Sequence, residues 1–318
     1  MENRKALYEY ICEHVEDGVL PDGFSLPEEP DHTGVSYADG AMDGITIYHT
    51  EVEELNEKQC ELLAKAVETV CYGDAEDTEE AFKALGKECR AVLGIDEFQR
   101  LLMEKGGIVI PDDLYENAVD VVRKSSDKEA VKYGLCVLGI LGGLEEETKD
   151  VIRTMGLCDE FTIFTVFNMI QWQDGNEEIF RLVQKVRGWG RIHALVHLEP
   201  ETEEIRKWIL FNGTDNDVMA DYTALGAWEK SGAEELLKGD LSKEEFSAIG
   251  KIISALLNEE AFPGISMIEN AEEVLGNFAE CSNQFAISID DYGVLQQIYA
   301  WAKSNSMDAL AEKVKKSM

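Results

Sequence analysis

Two groups of residues have the types and spacing that chemistry needs. Between positions 187 and 197 the chain carries Arg187, Trp189, Arg191, His193 and His197. On a helix, His193 and His197 stand four apart and share a face, and two imidazoles so placed can ligate a divalent metal. The glutamate of an HExxH pair is missing and no third ligand is identifiable, so that reading is incomplete. Arg191 and His193, two apart, cannot point the same way. Arg191 is therefore read in two ways: as an ion pair inside a helical stack, or as a ligand-facing cation beside Trp189 and Arg187.

The second group is Asp39, Gly40, Asp43, Gly44 and His49, with His32 upstream. Two Asp-Gly steps four residues apart suggest consecutive tight turns, because glycine tolerates positive φ and aspartate bonds its own turn amides. The alternative is a carboxylate and imidazole site, with Asp43 orienting His49 for acid-base work or both holding a divalent ion. The alternating acids of an EF-hand are absent.

Other motifs point away from cofactors, and none is expected. Gly139, Gly142 and Gly143 follow a helical run rather than a strand, which suits a helix stop better than a phosphate cradle. Seven cysteines without a CxxC pair read as free thiols acting as small hydrophobes on helix faces. The five tryptophans, Trp172, Trp189, Trp208, Trp228 and Trp301, are read as packing between helices, with one or two lining a groove.

The elements that would position these groups are helices. In 318 residues, 45% are hydrophobic and six are proline, which is enough to bury a core and too few breakers for disorder. Buried stripes at i, i+3, i+4 and i+7 appear at Leu63, Ala66, Val67 and Val70, at Ile249, Ile252, Ile253 and Leu256, and around Val131 to Leu138. Ser126 with Glu129 and Ser242 with Glu245 have capping-box spacing. The exception is 18–50, where three of the six prolines and the only strand-like runs, Val35 to Tyr37 and Ile45 to Tyr48, predict an irregular acidic excursion with a small β-hairpin. Residues 1 to 60 hold 15 acids against three bases.

Acids outnumber bases 64 to 29, a net charge of −35. Nucleic-acid binding needs Lys and Arg to displace counterions, so the balance argues against it and favours a basic partner. The longest apolar run, Val131 to Leu144, contains Lys132 and falls short of the roughly 20 residues a membrane helix needs. No membrane association is expected, and a cytoplasmic location is.

From about residue 112 the helices fall into pairs, with second helices starting near Asp127, Asp159, Gly188 and Asn216, a period near 30 residues. The segments 127–142 and 188–210 resemble the HEAT and armadillo-like α-solenoid families, in which a charged or small turn precedes a helix with an Ala/Leu-rich stripe. The resemblance covers roughly residues 112–260. It implies an all-α solenoid of stacked helical hairpins, with partners held on its concave side. The domains expected are a helical region 1–110 carrying the excursion, and a repeat region 111–318 closed by capping helices. The resulting functional expectation is a non-catalytic protein- or peptide-binding scaffold, one form being an inhibitor or immunity-type protein for a basic partner. The alternative is a small-molecule or metal-dependent enzyme or sensor, with its site between Asp39–His49 and the helical groove.

Overall fold

The computed structural model describes residues 5–27, 37–51, 54–106, 112–142, 144–260, 262–285 and 288–318. Among them the fold is all-helical; the sole β feature is an isolated bridge between Glu16 and Val19. The chain divides into two compact units, Met1–His197 and Leu198–Met318. The apolar core of the first unit runs continuously from Leu7 and Phe82 through Val122 and Tyr133 to Phe164.

The first unit contains α1 (Leu7–His14), α2 (Ala41–His49), α3 (Glu57–Tyr72), α4 (Ala75–Gly86), α5 (Ala91–Gly106) and α6 (Asp112–Lys124). It continues with α7 (Lys128–Ile140), α8 (Glu146–Gly156), α9 (Asp159–Met169), α10 (Gly175–Val183) and α11 (Gly188–His197). From α6 onward the helices pack as sequential pairs, α6 with α7, α8 with α9 and α10 with α11, while α5, α7, α9 and α11 pack side by side in order. That second row is buried on most sides. Nine of the eleven residues of α9 are buried, which explains the near-continuous apolar run at 161–172.

The second unit holds α12 (Glu203–Asn212), α13 (Asp221–Ser231), α14 (Ala233–Lys238), α15 (Lys243–Leu256), α16 (Ala271–Cys281), α17 (Ile289–Ser304) and α18 (Asp308–Ser317). Here α13, α15 and α17 form the row of neighbours, and α12, α16 and α18 pack around them. The stripe Ile249, Ile252, Ile253 and Leu256 is buried as its spacing requires, and Ser242 and Glu245 form the expected capping box of α15.

Three local expectations need correction. Residues 45–48 are helix, not strand: the second Asp-Gly step lies within α2, and only the first makes a turn, with Gly40 at φ +74°. The β-branched Ile45, Thr46 and Ile47 favour extended backbone weakly, and tertiary contacts of Asp43 and Gly44 outweigh that preference. The other arm, Val35 to Tyr37, lies largely outside the described residues. The N-cap of α7 is Asp127, whose side chain accepts from the Ala130 N–H at 2.8 Å, so Ser126 and Glu129 form no capping box. Asn216 does not open a helix. Its side chain instead ties a turn through the Val218 and Met219 amides, and α13 begins five residues later.

No helix among the described residues is long and apolar enough to cross a membrane.

Candidate functional site

The structure brings Asp39, Asp43, Trp189 and His193 together. Helix α2 lies across α5, α7, α9 and α11, and its buried face consists of Ala41, Asp43 and Gly44. A face this small brings Asp43 to two cations: Arg90, at 2.6 Å just before α5, and Lys132, at 2.6 Å on α7. Lys132 is fully buried and also contacts Glu129 at 2.9 Å and Glu160 at 2.5 Å. Lys128, one helical turn earlier, binds Asp39 at 2.9 Å. The network is tied to the backbone at three points. Leu26 N–H donates to Asp39, Gly40 N–H to Glu160, and Ala91 N–H to Glu129.

Burial penalises the Lys132 ammonium, but Glu129, Glu160 and Asp43 more than offset it and hold the group charged, above the ordinary lysine range. Asp43 shows the mirror image. Burial pushes its carboxyl up, and the charges of Lys132 and Arg90 bring it below the usual value. A lysine held so firmly in its charged form is a poor nucleophile or base. The cluster ties the N-terminal end of α2 by charge to Arg90 and to α7 and α9.

Further along α2 the contacts become aromatic. Tyr48 stacks over Trp189 and His193, with ring centroids 6.3 and 6.1 Å apart. A Cβ at Gly44 would overlap the Trp189 indole, so the residue permits the close approach of α2 to α11. At Gly40 a Cβ would lie 2.6 Å from the Asp159 carbonyl oxygen. His193 is buried and its Nε2 has no hydrogen-bond partner among the described residues. Desolvation pushes its pKa down to about 4, with Asp43 opposing and His197 adding to the shift. Asp159, at the start of α9, accepts from the Gly190 and Trp189 amides, yet its burial near Asp39 and Glu160 pushes it up to about 7.

The remaining sequence candidates fall elsewhere. His49 is exposed at the end of α2, while Asp43 is buried and pairs with Arg90 and Lys132. Arg187 is exposed and Arg191 half-buried. His197 packs edge-on against Phe167, and no group of three or more potential metal ligands occurs among the described residues. His32 lies outside the described residues. Sequence reasoning did not select Arg90, Lys128, Glu129, Asp159 or Glu160. The available signal was Lys132, a lone charge in the apolar run 131–144, since a lysine there must bring buried partners with it.

A second concave feature lies within the second unit. A groove of about 1270 Å³ is bordered by the α12–α13 turn, α15 and α17. Its floor includes Phe211, Ala255, Val294 and Trp301, and its polar edge carries Asp215, Asp221 and Asp290 with Lys251.

Comparison of the chain with protein-family models, with curated proteins and with solved structures returned no match.

Proposed function

We propose that the chain is a non-catalytic scaffold, a HEAT/armadillo-like α-solenoid in the cytoplasm, that binds a basic protein or peptide in the groove of its second unit. The solenoid reading is supported by the sequential helix pairs of the first unit, by the side-by-side row α7, α9 and α11, and by helix starts at Lys128, Asp159 and Gly188. Seven free cysteines and the absence of any membrane-length apolar helix among the described residues are consistent with that setting.

The observation that carries the binding proposal is the groove's edge. Asp215, Asp221 and Asp290 border an apolar floor and form no ion pair among the described residues, although the chain pairs many of its other acids. Unpaired carboxylates around Phe211, Val294 and Trp301 complement an amphipathic segment whose apolar side faces the floor and whose Lys or Arg residues face the rim. The net charge of −35 adds long-range attraction for such a segment. A basic enzyme held in this way would make the protein an inhibitor or immunity-type partner. The enzyme reading at Asp39–His49 has less support, because Asp43 is neutralised by two cations.

The test is binding of a Lys- and Leu-rich helical peptide of about four turns to the full chain. Changing Asp215, Asp221 and Asp290 together to Asn is expected to weaken binding at least tenfold at low salt, and added salt should shrink the difference. Unchanged affinity in the triple variant would place the basic partner elsewhere.

A further inference from the structure

The contact between α2 and the rest of the first unit is unusual in composition. Its fully buried face is one alanine, one aspartate and one glycine. No large apolar side chain of α2 is fully buried, and Met42, Ile45 and Tyr48 are half-buried, so apolar burial contributes less here than in the core helices. Charge supplies the directional contacts. Asp39 pairs with Lys128 and Asp43 with Arg90 and Lys132, while the Gly40 amide donates to Glu160. Without α2, the same surface presents three cations, Arg90, Lys128 and Lys132, against the two carboxylates Glu129 and Glu160. Beside them lie the Trp189 indole and the His193 imidazole, whose buried Nε2 lacks a hydrogen-bond partner among the described residues and would gain water on exposure.

We propose that α2 is a detachable plug and that the surface beneath it, on α5, α7, α9 and α11, is a second binding site for an acidic helix. The helix it accepts has two carboxylates four positions apart at its N-terminal end, a glycine after each, and an aromatic residue one turn beyond the second glycine. The residues that define it are Arg90, Lys128 and Lys132 for the carboxylates, the Trp189 ring for the glycine and the paired Trp189 and His193 rings for the aromatic. An acidic partner helix of this pattern competes with α2, and its binding releases α2 into solvent. The site is separate from the groove of the second unit and selects the opposite charge, so failure of one reading leaves the other standing.

Hydrogen exchange on the full chain tests this. The probe is a synthetic peptide of residues 37–51, compared with the same peptide carrying Asn at the positions of Asp39 and Asp43. The amides of 41–49 are expected to exchange at least tenfold faster than those of α7 and α9, through an opening that leaves the rest folded. Excess native peptide should accelerate them further by trapping the open form, and the Asn peptide should not. A second chain, Gly44→Ala, removes the space for Trp189 while favouring helix, and should bind the labelled native peptide more tightly than the parent chain does. Exchange of 41–49 at the rate of α7 and α9 would show α2 to be an integral part of the fold. Equal effects of the two peptides would show that the carboxylates do not define the site. Either result overturns the proposal, whether or not Gly44→Ala folds.

Discussion

Replacing Lys132 with Met is expected to lower the stability of the chain by about 3 to 5 kcal/mol, the usual loss when one partner of a buried ion pair is removed. The side chain is fully buried and contacts three carboxylates, Asp43, Glu129 and Glu160. Met has similar volume, so the change isolates the charge. Arg90 still faces Asp43, and Lys128 lies 3.8 Å from Glu160, but both cations are partly exposed and cannot neutralise the interior. Urea unfolding followed by helical circular dichroism measures the effect. The same change at Lys128, with its side chain 27% exposed, should cost less than half as much. A loss below about 1 kcal/mol at Lys132 would mean that water reaches the cluster.

The second large effect is a pair of opposing pH slopes. Burial puts Asp159 at about 7, against 3.8 for a free carboxyl, so in the folded chain it holds a proton that the unfolded chain has released between about pH 4 and 7. Stability from this group is full below pH 3.8 and is lost as pH rises through 7. His193 works the other way. Its pKa is pushed down to about 4 from 6.5, so stability from its neutral form is full above pH 6.5 and is lost as pH falls through 4. Each displacement corresponds to roughly 3 to 4 kcal/mol at its limit, and between pH 4 and 6.5 the two largely cancel. Relative to the parent chain, Asp159→Asn should therefore gain stability as pH rises from 4 to 7. His193→Gln should lose its advantage over the parent as pH rises from 4 to 6.5. Urea midpoints at half-unit pH steps measure both. Parallel pH curves for the parent and variants would show that neither group is shifted by burial.

The helices were legible because their signal is local. Leu63, Ala66, Val67 and Val70 sit at 0% exposure, and the pattern alone placed them on one face. The starts of α7, α9 and α11 were likewise readable from charged or small residues ahead of apolar stripes. At α2 the local signal misled. Ile45 to Tyr48 has strand-like composition, and the helix is set by partners 47 to 145 residues away, Arg90 and Lys132 for Asp43 and Trp189 for Gly44, that no local window contains. The same distance in sequence hid most of the charged cluster. Asp39, Asp43, Trp189 and His193 stood out by type and spacing, whereas Glu129 and Glu160 looked like ordinary first-turn acids, and only the fold turns them inward to Lys132. The groove of the second unit was not legible, since its lining comes from α12, α13, α15 and α17 at scattered positions. Of its residues, only Trp301 had drawn notice, as an aromatic that could line a surface.

The account turns on whether the groove between α13, α15 and α17 receives a basic segment, and Gly293 offers the most direct measurement. It lies on α17 within the groove, and a Cβ there meets no atom within 4 Å, so a larger residue extends into the open space without disturbing the helix. Phe at this position should block the floor while raising helix propensity relative to glycine. Titration of the Lys- and Leu-rich helical peptide into the parent chain and into Gly293→Phe, followed by calorimetry, compares the two. The expected result is saturable binding to the parent and at least tenfold weaker binding to Gly293→Phe, with the two chains melting at closely similar temperatures. Equal affinity for both chains, or no binding to the parent at low salt, would contradict the assignment.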